Sequence, residues 1–359
     1  MGRKGESPAE LKYPFIESKK TCPVCETLTL HVRLKSKLYK ENGLDIDMRP
    51  KNIIWTYKGY SFPNPRLYYM RTCPVCRFTS GYSHFEEPSK HYAMTLQKFV
   101  KLLKPLLYED ERVIKVSTIL ASDIDIFEPD YPQAFRQHAL AVYLLSFIDD
   151  LVNKDALNLA RYYMRIAWLF REISMAADKA AMDRIFEIVN RVKHYWPEIP
   201  ASESICLQRS IGHYETSLDS SHALSSPMEE TAIKMIIARS CMLLEDMEKA
   251  RHFISLGWDT VRMHEIKKKE ESRRFAQGKS KLKQRDIWQM DADIKRMGRH
   301  IVETQEIYDD IWKGYEKSQI DLAESLLEKI SDSSMDKKVE VLEKCGIDHR
   351  VIRMLFPQE

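Results

Sequence analysis

Two copies of one tetrapeptide, Cys22-Pro23-Val24-Cys25 and Cys73-Pro74-Val75-Cys76, constrain this chain more than any other feature. A Cys-x-x-Cys turn brings two thiolates to one side, and a second such turn closes a tetrahedron around a metal about 2.3 Å from each sulfur. Lys19, Lys20, Arg71 and Arg77 flank the pairs, and nearby positive charge lowers thiol pKa values. Zinc held by four thiolates keeps no open coordination position, so Cys22, Cys25, Cys73 and Cys76 predict a structural site and not a catalytic one. A thioredoxin-type redox pair wants a single Cys-x-x-Cys opening a helix after a strand, and the matched second pair argues against it. An iron–sulfur cluster also accepts four thiolates, so iron stays open beside zinc, although nothing else in the sequence points to redox chemistry. His31, His84 and His91 lie near enough in sequence to replace one cysteine, but four thiolates already suffice.

The remaining three cysteines of the seven, Cys206, Cys241 and Cys345, sit on apolar helix faces and are expected to be packed thiols. The N-terminus lacks an apolar signal core, which predicts a cytoplasmic protein and makes disulfides a poor account of the cysteines. The longest apolar run, residues 139–148, is far below the roughly 20 residues of a membrane span. With 11 Gly and 15 Pro in 359 residues, the chain is too poor in turn and breaker residues for an all-β sandwich or a disordered polymer.

Charge divides the chain. Residues 1–104 hold 19 Lys/Arg against 9 Asp/Glu, and the remainder holds 37 against 44. A basic front and an acidic rear suggest modules with different surfaces. Residues 1–20 read as a flexible arm, and 21–90 as a zinc-binding head with short β-prone runs at 28–34, 53–57 and 66–71. From Ser89, a possible N-cap, the spacing becomes helical through residue 106. Further helices are expected at 109–122, 132–150, 155–174, 176–195, 202–218, 228–246, 248–263, 286–316, 319–331, 336–345 and 347–355.

Within 91–263 many of these helices pair across short loops as stacked α-hairpins do. Residues 233–257 carry a tetratricopeptide-like pattern: Ala238 and Cys241, then Ala250, Ile254 and Gly257, small where two helices would touch. Lys234 departs from it, standing where a large apolar residue is common. Residues 264–285 hold nine basic against three acidic residues and almost no apolar ones, which reads as a basic linker or as a patch for phosphate or an acidic partner. The C-terminal part, 286–359, opens with a long helix whose apolar residues alternate three and four apart from Ile287 to Tyr315, interrupted only by Thr304. That spacing allows a coiled-coil seam, so oligomerisation through 286–316 stays open; Gly298, Ile307, Trp312 and Gly314 widen the stripe and favour packing within the chain.

Thr21-Cys22-Pro23-Val24-Cys25, then Leu44-Asp45-Ile46-Asp47-Met48-Arg49-Pro50, then Asn64-Pro65-Arg66-Leu67-Tyr68 leading into Cys73-Pro74-Val75-Cys76, resemble the uncharacterised bacterial proteins grouped as domain of unknown function 2225. The helix from Tyr162 to Phe170 is similar to one that those proteins carry behind the head, and the likeness covers about residues 18–260. The resemblance implies a paired-cysteine, zinc-ribbon-like head followed by tetratricopeptide-like helices, and implies no activity or substrate. Such heads usually place Gly after the second cysteine of each pair, where a positive φ lets amides point at sulfur; Glu26 and Arg77 stand there here.

The expected fold is therefore mainly α, a small zinc-ribbon-like β-containing head followed by a tetratricopeptide-like helical region. The sequence shows no Gly-rich phosphate loop, His-Glu-x-x-His or Gly-x-Ser-x-Gly, which favours a non-enzymatic scaffold that holds a protein partner on its helical surface. The net acidity behind the head suggests a partner with some basic character. The alternative is nucleic-acid binding by the basic head, with Trp55, Tyr57, Tyr60, Phe62, Tyr68 and Tyr69 as stacking rings. Asp123, Asp125 and Asp130 form a possible cation cluster without the regular spacing of a calcium loop.

Overall fold

Among the described residues, side-chain alternation and tight turns build the head as three antiparallel strand pairs. β1 (Phe15–Thr21) pairs with β2 (Leu28–Leu34), β3 (Tyr39–Leu44) with β4 (Pro50–Trp55), and β5 (Met70–Thr72) with β6 (Thr79–Gly81). The computed structural model describes residues 13–56, 64–81, 85, 90–152, 156–219, 224, 226–331 and 333–356, with backbone alone at 90–99 and 148–152. Ser89 and His84 thus lie outside the described residues, as do Tyr57, Tyr60 and Phe62. Residues 15–20, read from sequence as a loose arm, form β1. Their own alternation is weak, but the ladder that runs from Phe15↔Leu34 to Thr21↔Leu28 pairs every residue of the strand. The run 66–71 splits into a short 3-10 turn at Pro65–Tyr68, whose N–H at Arg66 is capped by the Asn64 side chain, and the strand β5.

Behind the head the chain is helical: its eleven α-helices bring the structure as a whole to 67% helix among the described residues. It divides into two compact units, residues 1–225 and 226–359. The first unit adds α1 (Lys90–Glu109), α2 (Glu111–Leu120), α3 (Tyr131–Val152), α4 (Ala156–Met175), α5 (Lys179–Lys193) and α6 (Glu203–Asp219). Asp110 and Asp178 cap α2 and α5 by accepting from Val113 N at 2.9 Å and Ala181 N at 3.0 Å. Each such cap is worth about 1 kcal/mol. Asp130 does the same for Gln133 N and also pairs with Arg184, and Asp125 accepts from the amides of Phe127 and Glu128. Two carboxylates of the possible cation cluster are thus spent on local structure. Phe135, Leu140, Leu159, Ile166 and Ile185 fill the core. The head is tied to α3 and α4 by Gln137 Nε2 donating to Thr72 Oγ1 at 3.2 Å and by Gly81 N donating to Tyr162 Oη at 3.1 Å.

The second unit holds α7 (Pro227–Leu243), α8 (Met247–Ala276), α9 (Gln284–Lys329), α10 (Met335–Lys344) and α11 (His349–Leu355). Two expectations change here. The segment read as a linker from residue 264 is helix as far as Ala276, because Lys, Glu, Arg and Ala are good helix formers and Glu270 pairs with Arg274 at i,i+4. A helix already nucleated needs no apolar residues to continue. The helices expected at 286–316 and 319–331 are one, since nothing near Lys317 breaks the pattern.

The seam of α9 packs inside the unit: Met297, Ile301, Thr304 and Tyr308 are buried, and α9 lies against α7 and α8. Thr304, the interruption in the apolar stripe, accepts from the buried Arg239 Nε of α7 at 3.0 Å. Gly257 marks the closest crossing, since a Cβ there would meet Met235 Cε at 2.6 Å and Ile301 at 3.4 Å. Lys234 reaches α8, donating to Thr260 Oγ1 at 2.7 Å, and so replaces an apolar contact by a polar tie.

Candidate metal centre

Each Cys-Pro-Val-Cys motif is the loop of one hairpin, the first between β1 and β2 and the second between β5 and β6. The two loops repeat one hydrogen-bond scheme. Cys22 N donates to Thr27 O at 2.9 Å and Glu26 N to Cys22 O at 2.9 Å; Cys73 N donates to Phe78 O at 2.8 Å and Arg77 N to Cys73 O at 2.9 Å. Closing the turn demands a left-handed residue after the second cysteine, and Glu26 (φ 61°) and Arg77 (φ 64°) both comply. Positive φ is therefore kept without glycine, at a cost of about 1–2 kcal/mol per residue. The turn aims the amides of Val24 and Cys25 at the Cys22 sulfur, and those of Val75 and Cys76 at Cys73.

The two loops face each other. All four sulfurs lie within 4.8 Å of one another, with Cys22 and Cys76 3.5 Å apart and Cys25 and Cys73 3.6 Å apart. A tetrahedral ion with sulfur at about 2.3 Å places its ligands about 3.8 Å from each other, so the constellation has the size of a metal–tetrathiolate centre. It is far wider than a disulfide at about 2.05 Å, and all four cysteines are free. Cys22, Cys73 and Cys76 are buried and Cys25 is half-buried. Crowding among the sulfurs, chiefly hydrogen bonding with Cys73, pushes Cys22 up to about 12. Contacts with Cys22 and Cys73 raise Cys76 too, whereas hydrogen bonds from Cys22 and Cys76 lower Cys73 to about 2. Four thiols so close favour few thiolates among themselves; a divalent cation is what allows all four to ionise.

His31 does not join the cysteines. Burial, with Arg71 nearby, lowers it to about 4, its Nε2 lies 2.7 Å from Thr29 Oγ1, and its ring packs on Phe85. Cys206 and Cys241 are buried as expected, but Cys345 is exposed, because it sits at the C-terminal end of α10 beyond the face that packs.

A second cluster escaped sequence reasoning. Asp45, Asp47 and Arg49, in the turn between β3 and β4, meet Arg171 and Glu172 of α4. Arg171 donates to Asp47 Oδ1 and Oδ2 at 3.0 Å each, to Asp45 Oδ2 at 3.1 Å and to Glu203 Oε1 of α6. Trp168 Nε1 completes the Asp47 shell at 3.0 Å. Glu172 Oε1 receives Arg49 Nη1 at 3.3 Å and also Arg66 Nη1, while Asn64 donates to Oε2. Asp47, Arg49 and Arg66 are each under 5% exposed, so these charges survive burial only as a network. Burial opposes the charge of Asp45, yet the hydrogen bonds from Arg49, the Ile46 amide and Arg171 hold its carboxyl below the ordinary value. The available signal was the Asp-x-Asp-x-Arg run and, far along the chain, an Arg171-Glu172 pair directly after the apolar run Ile166–Phe170.

The family model described as an uncharacterized protein conserved in bacteria (DUF2225) matches residues 15–277. The chain belongs to that family. The matched stretch of this DUF2225 protein contains both cysteine loops, the buried ion network and every helix through α8. No curated protein and no solved structure matches the chain. Among the described residues, no helix is long and apolar enough to cross a membrane.

Proposed function

We propose that this DUF2225 protein is a non-enzymatic cytoplasmic scaffold: a zinc-stapled head carried on a helical region that holds a protein partner. Four thiolates saturate zinc and leave no position for a substrate, so the metal's role is to hold the two hairpins together. The repeat-like reading rests on two matching turns. After α4, Ala177 (φ 52°) and Asp178 return hydrogen bonds to Ser174 O and Ile173 O; after α7, Glu245 (φ 60°) and Asp246 return theirs to Met242 O and Cys241 O. In both cases the same Asp caps the next helix. Asp178 and Asp246 stand about two ~34-residue tetratricopeptide periods apart. The period midway falls inside α6, so a regular array is interrupted there.

The observation that carries the scaffold reading is an open groove of about 410 Å³ on the second unit, lined by Arg251, Ile254, Ser255, Trp258 and Arg262 of α8 and Gln305 of α9. An indole beside two guanidinium groups fits a peptide with an apolar anchor flanked by carboxylates. This local chemistry replaces the basic partner suggested by net charge with an acidic one. Of the six rings proposed for nucleic-acid binding by the head, the three among the described residues are engaged elsewhere: Tyr68 is buried and donates to Phe127 O, Trp55 packs on Tyr39, and Arg165 lies over Tyr69.

The test is site-specific photo-crosslinking in the native cell with a benzophenone amino acid at Ser255, followed by mass spectrometry. A discrete adduct lost on Trp258→Ala, with the circular dichroism unchanged, supports the scaffold. Crosslinks that ignore Trp258→Ala, or none at all, reject it.

A further inference from the structure

The turn between α8 and α9 carries a second feature that the scaffold reading does not use. α8 ends in a tight αL stop: Gly278 (φ 67°) donates to Phe275 O at 2.9 Å and Lys279 to Arg274 O at 2.8 Å. This stop fixes where residues 279–283 leave the helix, and Lys283 N donating to Asp286 Oδ2 at 2.8 Å fixes how they enter α9. Between the two helix ends lies a cleft of about 610 Å³, whose lining includes Lys267, Arg274, Lys279 and Lys281 together with Glu271 and Asp286, the last paired with Arg285.

The charge around this cleft is not locally neutralised. Among the described residues, Glu270 and Glu271 are taken by Arg274, and Asp291 by Lys268 and Lys295. Among the described residues, no ion pair forms at Lys267, Lys269, Arg273, Lys279, Lys281 or Lys283. Two large rings stand open on the same two helices without lining the cleft, Phe275 in the last turn of α8 (40% exposed) and Trp288 near the start of α9 (67% exposed).

We infer that the α8–α9 turn binds single-stranded nucleic acid, the unpaired lysines tracking the phosphates while Trp288 and Phe275 stack on bases. Unpaired cations neutralise phosphates and release counterions, and exposed rings next to a basic cleft offer bases a platform that a duplex, with its bases already stacked, does not use. An anionic bilayer also attracts cations but requires one apolar helix face. Here exposed Ile266 and Phe275 fall about 180° apart around α8, at roughly 100° per residue. A flexible strand that winds over the turn suits rings on different faces, and a flat surface does not. The inference is independent of the partner groove around Trp258.

Fluorescence anisotropy of the full-length protein with labelled oligouridylate and oligothymidylate tests it over a salt series. Binding should weaken linearly in log–log form with salt. Replacing Lys279, Lys281 and Lys283 together by Ala should flatten the slope by about 2, at roughly 0.7 per phosphate contact. Trp288→Ala should weaken binding roughly 5- to 100-fold and leave the slope alone, as loss of one stacked base does. All four side chains are exposed or project from the turn, and thermal melts confirm the variants' folding. No binding at low salt, or binding that neither variant changes, overturns the inference. Binding to phosphatidylserine vesicles without binding to oligonucleotides overturns it in favour of a membrane surface.

Discussion

Glu26 and Arg77 each hold a left-handed conformation for the sake of one cysteine loop. Glu26→Gly removes the steric cost of positive φ and a negative charge beside thiolates, so stability of the metal-loaded head should rise by about 1 kcal/mol after the entropic penalty of glycine. The readout is a slower release of zinc to a chelating dye; an unchanged rate would mean the turn carries no strain. Cys73→Ser should abolish metal binding outright and loosen hydrogen exchange across residues 13–81 while helical circular dichroism persists, because coordination at such sites supplies about 10–16 kcal/mol of folding free energy. Metal retained by that variant would exclude the tetrathiolate. His138, wholly buried on α3 with Nδ1 2.8 Å from Ala134 O and Nε2 without a hydrogen bond, is pushed down from 6.5 to about 3 by burial, with Arg165 adding to it. The unfolded chain takes up this proton below about 6.5 and the folded chain only near 3, so stability falls as pH drops through that window, by up to about 1.4 kcal/mol per pH unit. Urea melts of His138→Gln should lose roughly 2 kcal/mol less than the unaltered protein between pH 6.5 and 5.

At the level of elements, the β3–β4 turn is fastened to α4 and α6 by charge where most of the interior relies on apolar contact. Arg171 touches Asp45, Asp47 and Glu203 at once, and these contacts raise its pKa even though burial opposes its charge. Arg171→Ala strands the Asp47 carboxylate, which is fully buried, and should cost about 3–5 kcal/mol, the range for breaking a buried pair by removing one partner. Chemical denaturation measures it, and a loss under about 1 kcal/mol would show that water replaces the guanidinium freely. The Asp45–Arg49 turn was conspicuous in sequence only as a family signature. Its physical task was invisible there because its partners sit more than a hundred residues away along the chain, a distance no local periodicity reports.

For the whole molecule, the division between residues 1–225 and 226–359 predicts two separately folding parts. Each piece, expressed alone, should give a helical spectrum and a cooperative melt, with the head of the first ordered only when metal is supplied. A non-cooperative melt of the second piece would show that α7–α9 cannot keep their buried face without the rest of the chain. That face is substantial: Met235, Ile237, Ile254, Met297 and Ile301 are nearly inaccessible within the unit. The middle of the α9 stripe, Met297, Ile301 and Tyr308, is thus buried within the chain, and Ile301 sits at the close crossing with Gly257.

The sequence by itself determined the four clustered cysteines, the mainly α class and most of the helix starts, because ligand spacing, the 3.6-residue period and Asp or Ser caps are local chemistry that a chain carries wherever it folds. It also carried the family likeness as far as α8. Only tertiary structure decided which way the ambiguous segments went. β1 exists because β2 supplies the ladder, α8 runs through a charged stretch because a packed helix precedes it, and α9 stays whole because its stripe has neighbours to cover. The same holds for the charges: Asp47, Arg171 and Glu172 look like solvated surface in a string of letters, and become a buried clamp only once the head is laid on α4. Burial and pairing at long range are properties of the fold, and they decide whether a charge is an ornament of the surface or a constraint on the interior.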